Sequence, residues 1–327
     1  MAFVLRRLAF YVVAAWAALT INFFLPRMMP GNPAEQLFAK FQNLQPQALR
    51  AIEAEFGIGH AGSLWHQYGT YLVDVLHGNL GVSYGEYPAT VASILAATLP
   101  WTLILVGVAT VISFALGTLL GILAAWRRGG LLDSLLPGMT FFQAAPYFFL
   151  ALLLIDLFGV HLGWLPTGGG SALGVTQGWN WPFVQSAIDH AVLPALTIVL
   201  TSLAGWMVSM RNVMTTTIGE EYVLAGQAKG LPGRRVVMAY AARNAILPNI
   251  ASFANALGFV ISGVLIMEYV FSYPGIGYLL YNAVGNEDYP LMQGIFLVIA
   301  LAVLAANLLA DVAYLVLDPR TRRRAVH

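Results

Sequence analysis

The sequence predicts an all-α membrane protein with six transmembrane helices. Of its 327 residues, 59% are hydrophobic and 9% are charged, whereas soluble domains usually carry about a quarter charged residues. Six apolar runs are each long enough to cross a hydrocarbon core of about 30 Å, which takes about 20 helical residues. Because lipid offers no partners to backbone N–H and C=O groups, these runs must be helices.

We place the six spans at about residues 8–26, 99–126, 134–158, 190–210, 250–273 and 291–317. The first run follows Arg6 and Arg7, a pattern that also describes a signal peptide. Its apolar stretch is longer than a usual signal-peptide core, and it ends in "LPRMMPGNP" without a small-x-small cleavage site. We therefore predict that the N-terminal helix is retained.

Basic residues predict that both termini face the cytoplasm. In that orientation, thirteen of the sixteen Lys and Arg residues lie at the termini or in inner loops, and the outer loops at about 159–189 and 274–290 contain none. Cytoplasmic loops of membrane proteins carry such an excess of Lys and Arg. We therefore predict a multi-pass protein with this orientation.

Four segments are predicted along the chain. They are an N-terminal transmembrane helix (1–29), an extracytoplasmic segment (30–96), a core of five transmembrane helices (97–318) that includes a cytoplasmic loop (212–249), and a basic cytoplasmic tail (319–327). The chain has no cysteine, which excludes disulfides and cysteine-based metal or redox sites.

The extracytoplasmic segment is predicted to contain amphipathic helices. Apolar residues recur at helical spacing in "PQALRAIEAEFG" and in "SLWHQYGTYLVDVLHGNLG", where Gly78 is suited to a C-terminal cap. A third run, "ATVASILAATLPW", leads into the second span past Pro100. Two interpretations stay open: these helices pack against the bundle, or they form a platform for an external partner.

Two patterns predict close contacts of helices. In the second span, Gly117 and Gly121 lie four residues apart on one face, which lets another helix backbone approach closely.

In the cytoplasmic loop, "GEEYVLAGQAKGLPGRRVVMAYAARNAILPN" (219–249) predicts a helix, a turn and a second helix. Glu220 and Glu221 favour a helix N-terminus, and the following "GLPG" must break the helix. The first of these helices is rich in Ala and Gly, which favours docking into a pocket of another protein over a merely solvated loop.

This hairpin resembles the signature loop of permease subunits of ATP-binding-cassette (ABC) importers, in the form found in the dipeptide and oligopeptide importer family. Ala225 and Gly226 match the paired small residues of the motif, Gly230 matches its glycine, and Leu247-Pro248 matches its closing pair. Leu224 stands where the motif has Glu. Five further fragments resemble the family in order and spacing: "HGNLGVSY", "LGTLLGILAAWRRGGLLD", "HAVLPALT", "MEYVFSYPGIGYLLYNAVGNEDYPLMQG" and "DPRTRRR".

The resemblance implies a multi-pass protein of the inner or plasma membrane. It also implies a type I importer-like bundle in which the first hairpin helix is a coupling helix that docks on an ATPase. The docking residues it implies are Glu221, Tyr222, Ala225, Gly226, Gln227, Ala228, Lys229 and Gly230. Implied partners are a second homologous permease, two ATPase subunits that bind ATP and Mg, and an extracytoplasmic substrate-binding protein; no nucleic acid is expected. The chain itself is expected to be no enzyme and to bind no cofactor, because Lys40 and Lys229, its only lysines, are not in the Gly-Lys-Ser/Thr context of a phosphate-binding loop.

Polar residues within predicted spans are candidates for the translocation pathway or its gate. Charge at bilayer depth is costly, so such residues usually face a cavity or a partner. The candidates are Glu268, Asn255, Gln143 and Ser262. For Glu268, a place near the outer gate and a partnership with the other permease both stay open.

The substrate class implied by the resemblance is di- or oligopeptides. Oligosaccharides, nickel chelates and glutathione are alternatives, since the family imports them too. A self-sufficient secondary transporter is a competing function, although no repeated pair of interrupted helices supports it. A third candidate function, an intramembrane hydrolase, has no support, because the sequence contains neither a nucleophile motif nor a metal-ligand pair.

Overall fold

A computed structural model describes residues 2–28, 63–258 and 265–317. Within these ranges the chain is helical and forms no β-strand; one isolated antiparallel bridge joins Val82 and Thr90. The predicted all-α class is therefore confirmed. The helices are α1 (Ala2–Arg27), α2 (Leu64–Leu76), α3 (Val91–Trp126), α4 (Leu131–Ala144), α5 (Tyr147–Leu154, continued by a π-helical stretch, Ile155–His161), α6 (Trp181–Thr217), α7 (Glu221–Ala228), α8 (Gly233–Arg235, continued by a π-helical stretch, Val236–Ala242), α9 (Arg243–Gly258), α10 (Leu265–Val270), α11 (Ile276–Gly285) and α12 (Tyr289–Leu317).

Three of the described helices are long and apolar enough to cross a membrane: α3, α6 and, over Tyr289–Leu308, α12. The pair α4 and α5 adds a fourth if the two count as one span. The apolar part of α1, Ala9–Leu25, is shorter. The fifth predicted span includes residues 259–264, which lie outside the described residues. The structure thus supports three or four of the six predicted spans.

The third span, predicted as one helix, consists of two helices joined at a sharp bend. Its two halves, Leu131–Ala144 and Tyr147–His161, are bent by 102°. Pro146 lies between them, and Ala145 adopts an extended backbone (φ −72°, ψ 135°). The reason is steric, because the ring of a proline disfavours the helical conformation in the residue before it.

Two other prolines lie inside continuous helices, although the second and fifth spans were predicted to begin near them. Pro100 lies inside α3, so the third amphipathic run and the second span form one helix of 36 residues. Pro248 lies inside α9, so the second hairpin helix passes without a break into the fifth predicted span. Proline is tolerated in membrane helices because neighbouring groups satisfy the freed backbone carbonyls.

The described residues group into two compact units. The first contains the residues up to Trp101 together with Pro274–Leu304. In this unit α2 packs against α1: Phe23 is fully buried, and its ring lies 5.3 Å from that of Tyr68 and 5.5 Å from that of Tyr71. The helix predicted from "SLWHQYGTYLVDVLHGNLG" is confirmed, with Ser63 as its N-cap and Gly78 (φ +74°) beyond its end.

The second unit contains Thr102–Tyr273 and the residues from Ala305 onward. Here α3 and α6 approach so closely that a Cβ atom on Gly117 would lie 2.6 Å from the Cβ of Trp206. A Cβ atom on Gly121 would lie 2.6 Å from the carbonyl oxygen of Met207. Side chains could not fit at either position, which confirms the close contact predicted for this glycine pair. A hydrogen bond of 2.7 Å from Ser209 Oγ to Asn249 Oδ1 links α6 to α9.

Candidate functional site

The hairpin, for which the sequence predicts a cytoplasmic position, consists of α7, a four-residue turn and the helical arm that begins with α8. The turn is built on Gly230, whose φ is +71°. The Gly230 amide donates to the Gln227 carbonyl (2.9 Å), and the Leu231 amide donates to the Gly226 carbonyl (3.4 Å). This pair of bonds is a Schellman motif, which satisfies the last carbonyls of the helix and places a left-handed residue after its end. Glycine adopts that conformation without a steric penalty.

One face of α7 belongs to a hydrophobic core of the hairpin. Val223 is completely buried there, and it is joined by residues from the ends of α3 and α6 and from the second arm. The cluster consists of Ile122, Ala125, Met210, Met214, Val223, Val236, Val237, Ala241, Ala242 and Ala245. Full burial of a valine side chain contributes about 1.5–3 kcal/mol. The hairpin is therefore a packed element that is attached to two long membrane helices, rather than a solvated loop.

The opposite face of α7 is exposed. Seven of the eight predicted docking residues are exposed: Glu221, Tyr222, Ala225, Gln227, Ala228, Lys229 and Gly230. Gly226 differs, because it is buried against the second arm, where its Cβ would lie 3.6 Å from the ring of Tyr240. The small residues of α7 therefore serve two purposes. Ala225 and Ala228 add little bulk to the exposed face, whereas Gly226 lets the two arms pack.

Hydrogen bonds and an ion pair join the α3–α4 connection and the first turn of α4 to the C-terminal part of α6, just before the hairpin. Asp133 Oδ1 accepts from Arg211 Nε at 2.5 Å, and Asp133 Oδ2 accepts from the Gly129 amide at 3.0 Å. Arg128 Nη2 donates to the Thr215 carbonyl at 3.0 Å. The side chains of Arg211 and Asp133 are 28% and 16% exposed, so solvent screens this ion pair less than a surface pair.

The predicted pathway residues occupy different environments. Glu268, on α10, is fully buried, and its Oε1 accepts from Thr102 Oγ1 at 2.7 Å. Its backbone carbonyl accepts from the Tyr273 amide at 2.8 Å. Asn255 is half-buried on α9, and Gln143 is exposed on α4, beside Gly205 of α6. Ser262 lies outside the described residues.

Comparison with known proteins places these features in a family. Residues 117–323, more than half of the chain, match the family model described as "Binding-protein-dependent transport system inner membrane component". The chain belongs to this family. The matched range includes the glycine pair of α3, the hairpin and α12.

Relatives match this transport component over nearly its whole length. A Brucella suis protein named as a peptide permease is 33% identical over 307 residues, which cover 93% of this chain and 94% of the relative. The dipeptide transport system permease protein of Escherichia coli K12 is 31% identical over 340 residues, covering 98% and 99%. The di/tripeptide transport system permease protein of Pseudomonas aeruginosa is 31% identical over 338 residues, covering 99% of each chain. The predicted inner-membrane location is confirmed by the family.

Sequence reasoning missed one buried site of this inner membrane component. Asp288, which is 1% exposed, accepts hydrogen bonds from the Ser83 hydroxyl and from the Gly85 amide (2.8 Å). Its other carboxylate oxygen accepts from the Leu291 amide (3.2 Å), as a helix N-cap does. Asp288 thus ties the loop before α3 to the start of α12. The Asp-Tyr-Pro sequence at 288–290 carried a signal for the cap, but no local pattern pointed to Ser83.

Proposed function

We propose that this chain is the permease subunit of an ATP-driven importer and that its substrates are di- or oligopeptides. The named substrates of its E. coli and P. aeruginosa relatives support the peptide assignment. The observation that carries the proposal is the hairpin, whose helix α7 packs one face into a hydrophobic core and leaves the other face exposed.

The proposed assembly contains a second homologous permease, two ATPase subunits and an extracytoplasmic substrate-binding protein. The ATPases bind ATP and Mg and carry out the hydrolysis, whereas this chain is not an enzyme and binds no cofactor. Six spans with both termini in the cytoplasm, arranged as in type I importers, form half of the pathway. This arrangement is consistent with the absence of basic residues from the two short outer loops.

Coupling in this proposal is mechanical. The exposed residues of α7, including Tyr222 and Ala225, dock on an ATPase, so that closure of the ATPase pair moves α7. Val223 transmits the movement, because it shares its core with the ends of α3 and α6. Nucleotide biases the inward-open and outward-open states only through its different affinity for them.

The pathway assignments are also proposals. Glu268 lies near the outer gate, and Asn255, Gln143 and Ser262 are candidates for contact with substrate. Single cysteines at these positions test the assignment in this cysteine-free chain. Substrate should protect a pathway cysteine from a thiol reagent, and equal labelling with and without substrate would exclude that position.

The docking proposal is tested by Ala225→Phe, which places a ring on the exposed face of α7. Transport of a labelled dipeptide into vesicles should fall to near background, while ATP hydrolysis persists and the chain remains in the membrane at its normal level. Ala239→Phe is the matched control, because Ala239 is an exposed alanine on the other arm of the hairpin. It should transport normally.

Normal dipeptide uptake by Ala225→Phe, with the ATPases still attached, would contradict the docking assignment. The substrate class has its own test, which is direct measurement of the ligand held by the co-purified binding protein. A binding protein that holds an oligosaccharide, a nickel chelate or glutathione and no peptide would replace the peptide assignment and leave the docking proposal intact.

A further inference from the structure

Helix α2 lies beside the end of the first membrane helix. Thr20 Oγ1 and the Tyr68 hydroxyl are 2.7 Å apart, and Asn22 Nδ2 donates to the Tyr71 hydroxyl at 3.1 Å. Thr20 and Asn22 belong to the last two turns of the apolar stretch Ala9–Leu25. These contacts hold α2 against the C-terminal end of the apolar stretch of α1.

The surface of α2 is divided into three strips along its axis. One strip, which includes Tyr68 and Tyr71, packs against α1. A second strip is polar and contains His66, Thr70 and Asp74, spaced by four residues so that they share a face. The third strip, called the apolar strip below, contains Trp65, Gly69, Val73 and Leu76.

The apolar strip is not covered by the described part of the chain. Trp65 is 76% exposed, Val73 is 54% exposed and Leu76 is 83% exposed. A Cβ atom added to Gly69, at the centre of the strip, would meet no heavy atom within 4 Å. In water such a strip would be costly, since each exposed apolar side chain forgoes the free energy of burial.

The last turns of α1 also expose apolar side chains. Ile21 and Leu25, in the same last turns of α1 that α2 contacts, are 63% and 43% exposed. On a spanning helix, exposed apolar side chains of this kind are suited to contact with lipid tails. Tryptophan is enriched at the level of the lipid headgroups, and a helix with separate apolar and polar faces lies in the plane of the interface.

We propose that the apolar strip of α2 is an interfacial anchor that inserts into the bilayer leaflet where α1 ends, which is the outer leaflet in the proposed orientation. The polar strip then faces water and the third strip holds α1. Because α2 contains no Lys or Arg, insertion depends on apolar burial, and it is expected to be the same in zwitterionic and anionic bilayers.

Single-cysteine variants test the anchor in the full chain, reconstituted into phosphatidylcholine vesicles. Gly69→Cys and Leu76→Cys place a fluorophore on the strip, and Gly69→Cys is well suited because its side chain enters open space. Thr70→Cys is the matched control, since Thr70 is exposed on the polar strip next to Gly69. Fluorescence is quenched either by lipids with a nitroxide near the headgroup or by iodide in the water.

The lipid nitroxide should quench the label at positions 69 and 76 several-fold more than at position 70, and iodide should show the reverse order. The order should persist in vesicles that contain phosphatidylglycerol. Strong iodide quenching at positions 69 and 76 would overturn the proposal, because the strip would then face water. Protection of both positions from both quenchers would overturn it too, because protein, either residues 29–62 or a partner subunit, would then cover the strip.

Discussion

A single backbone angle determines where the proposed coupling helix ends. Gly230 has a φ of +71°, a region that costs other residues roughly 1–2 kcal/mol. This explains in physical terms why the hairpin motif has glycine at this position. Gly226, four residues earlier, is small for a different reason, because it packs against Tyr240. The two glycines therefore have different roles: Gly226 allows α7 to pack against the second arm, and Gly230 forms the turn that follows α7.

Gly230→Ala should weaken the end of α7. Because alanine disfavours a φ of +71°, the hydrogen bonds of the Gly230 and Leu231 amides should open more often, by about tenfold for a cost of about 1.4 kcal/mol. Hydrogen exchange of residues 226–231 in the full chain measures this opening. Gly219→Ala is the control, because Gly219 has no positive φ and its added Cβ would make an ordinary contact of 3.5 Å with the Thr216 carbonyl. Equal exchange in both variants would contradict this account.

Helices α3 and α6 are in contact along the glycine pair, which fixes how near the two backbones lie. Since apolar burial does not distinguish a helix neighbour from lipid tails, close packing is a main source of helix association in a bilayer. The same two helices supply Ile122, Ala125, Met210 and Met214 to the core of the hairpin. Their mutual position is therefore expected to determine the position of α7.

Gly121→Ala should destabilise the α3–α6 pair. The added Cβ would lie 2.6 Å from the Met207 carbonyl oxygen, and such overpacking costs about 1–3 kcal/mol. The thermal unfolding midpoint of the purified chain in detergent should fall.

Gly107→Ala on the same helix is the matched control, because its Cβ would meet nothing within 4 Å. Alanine is favoured over glycine in a helix by about 1 kcal/mol, so this variant should keep or raise the midpoint. A fall of similar size in both variants would argue against close packing at Gly121.

The complete chain is proposed to cross the membrane six times with both termini inside. Three or four spans are supported by the described helices, and the distribution of Lys and Arg supports the orientation. Chemical labelling of intact cells determines which membrane face each loop occupies.

Leu173→Cys and Lys229→Cys test the orientation, since both positions are exposed and the natural chain has no cysteine. With the full chain expressed without its ATPases, a membrane-impermeant maleimide should label position 173 in intact cells. It should label position 229 only in inverted vesicles. Labelling of position 229 from outside would reverse the proposed topology.

Much of the local structure follows from local patterns. The helix α2 with Gly78 after its end, the helix-turn-helix of the hairpin and the close approach at Gly117 and Gly121 were all predicted from spacing and turn residues. These features depend on residues close together in the chain. Proline misled the prediction at Pro100 and Pro248, where the helices continue. A proline within a membrane helix is tolerated because neighbouring groups in the folded protein satisfy the backbone carbonyls that it frees.

The sequence by itself determined the helical class, the membrane location and the family, because composition, apolar run length and motif order need no knowledge of neighbours in space. Only the tertiary structure decided that Gly226 faces inward, that Glu268 is buried beside Thr102, and that Asp288 holds Ser83, 205 residues away. Such pairs carry no local signal, since each partner is selected by where the folded chain places it and not by its neighbours in the sequence.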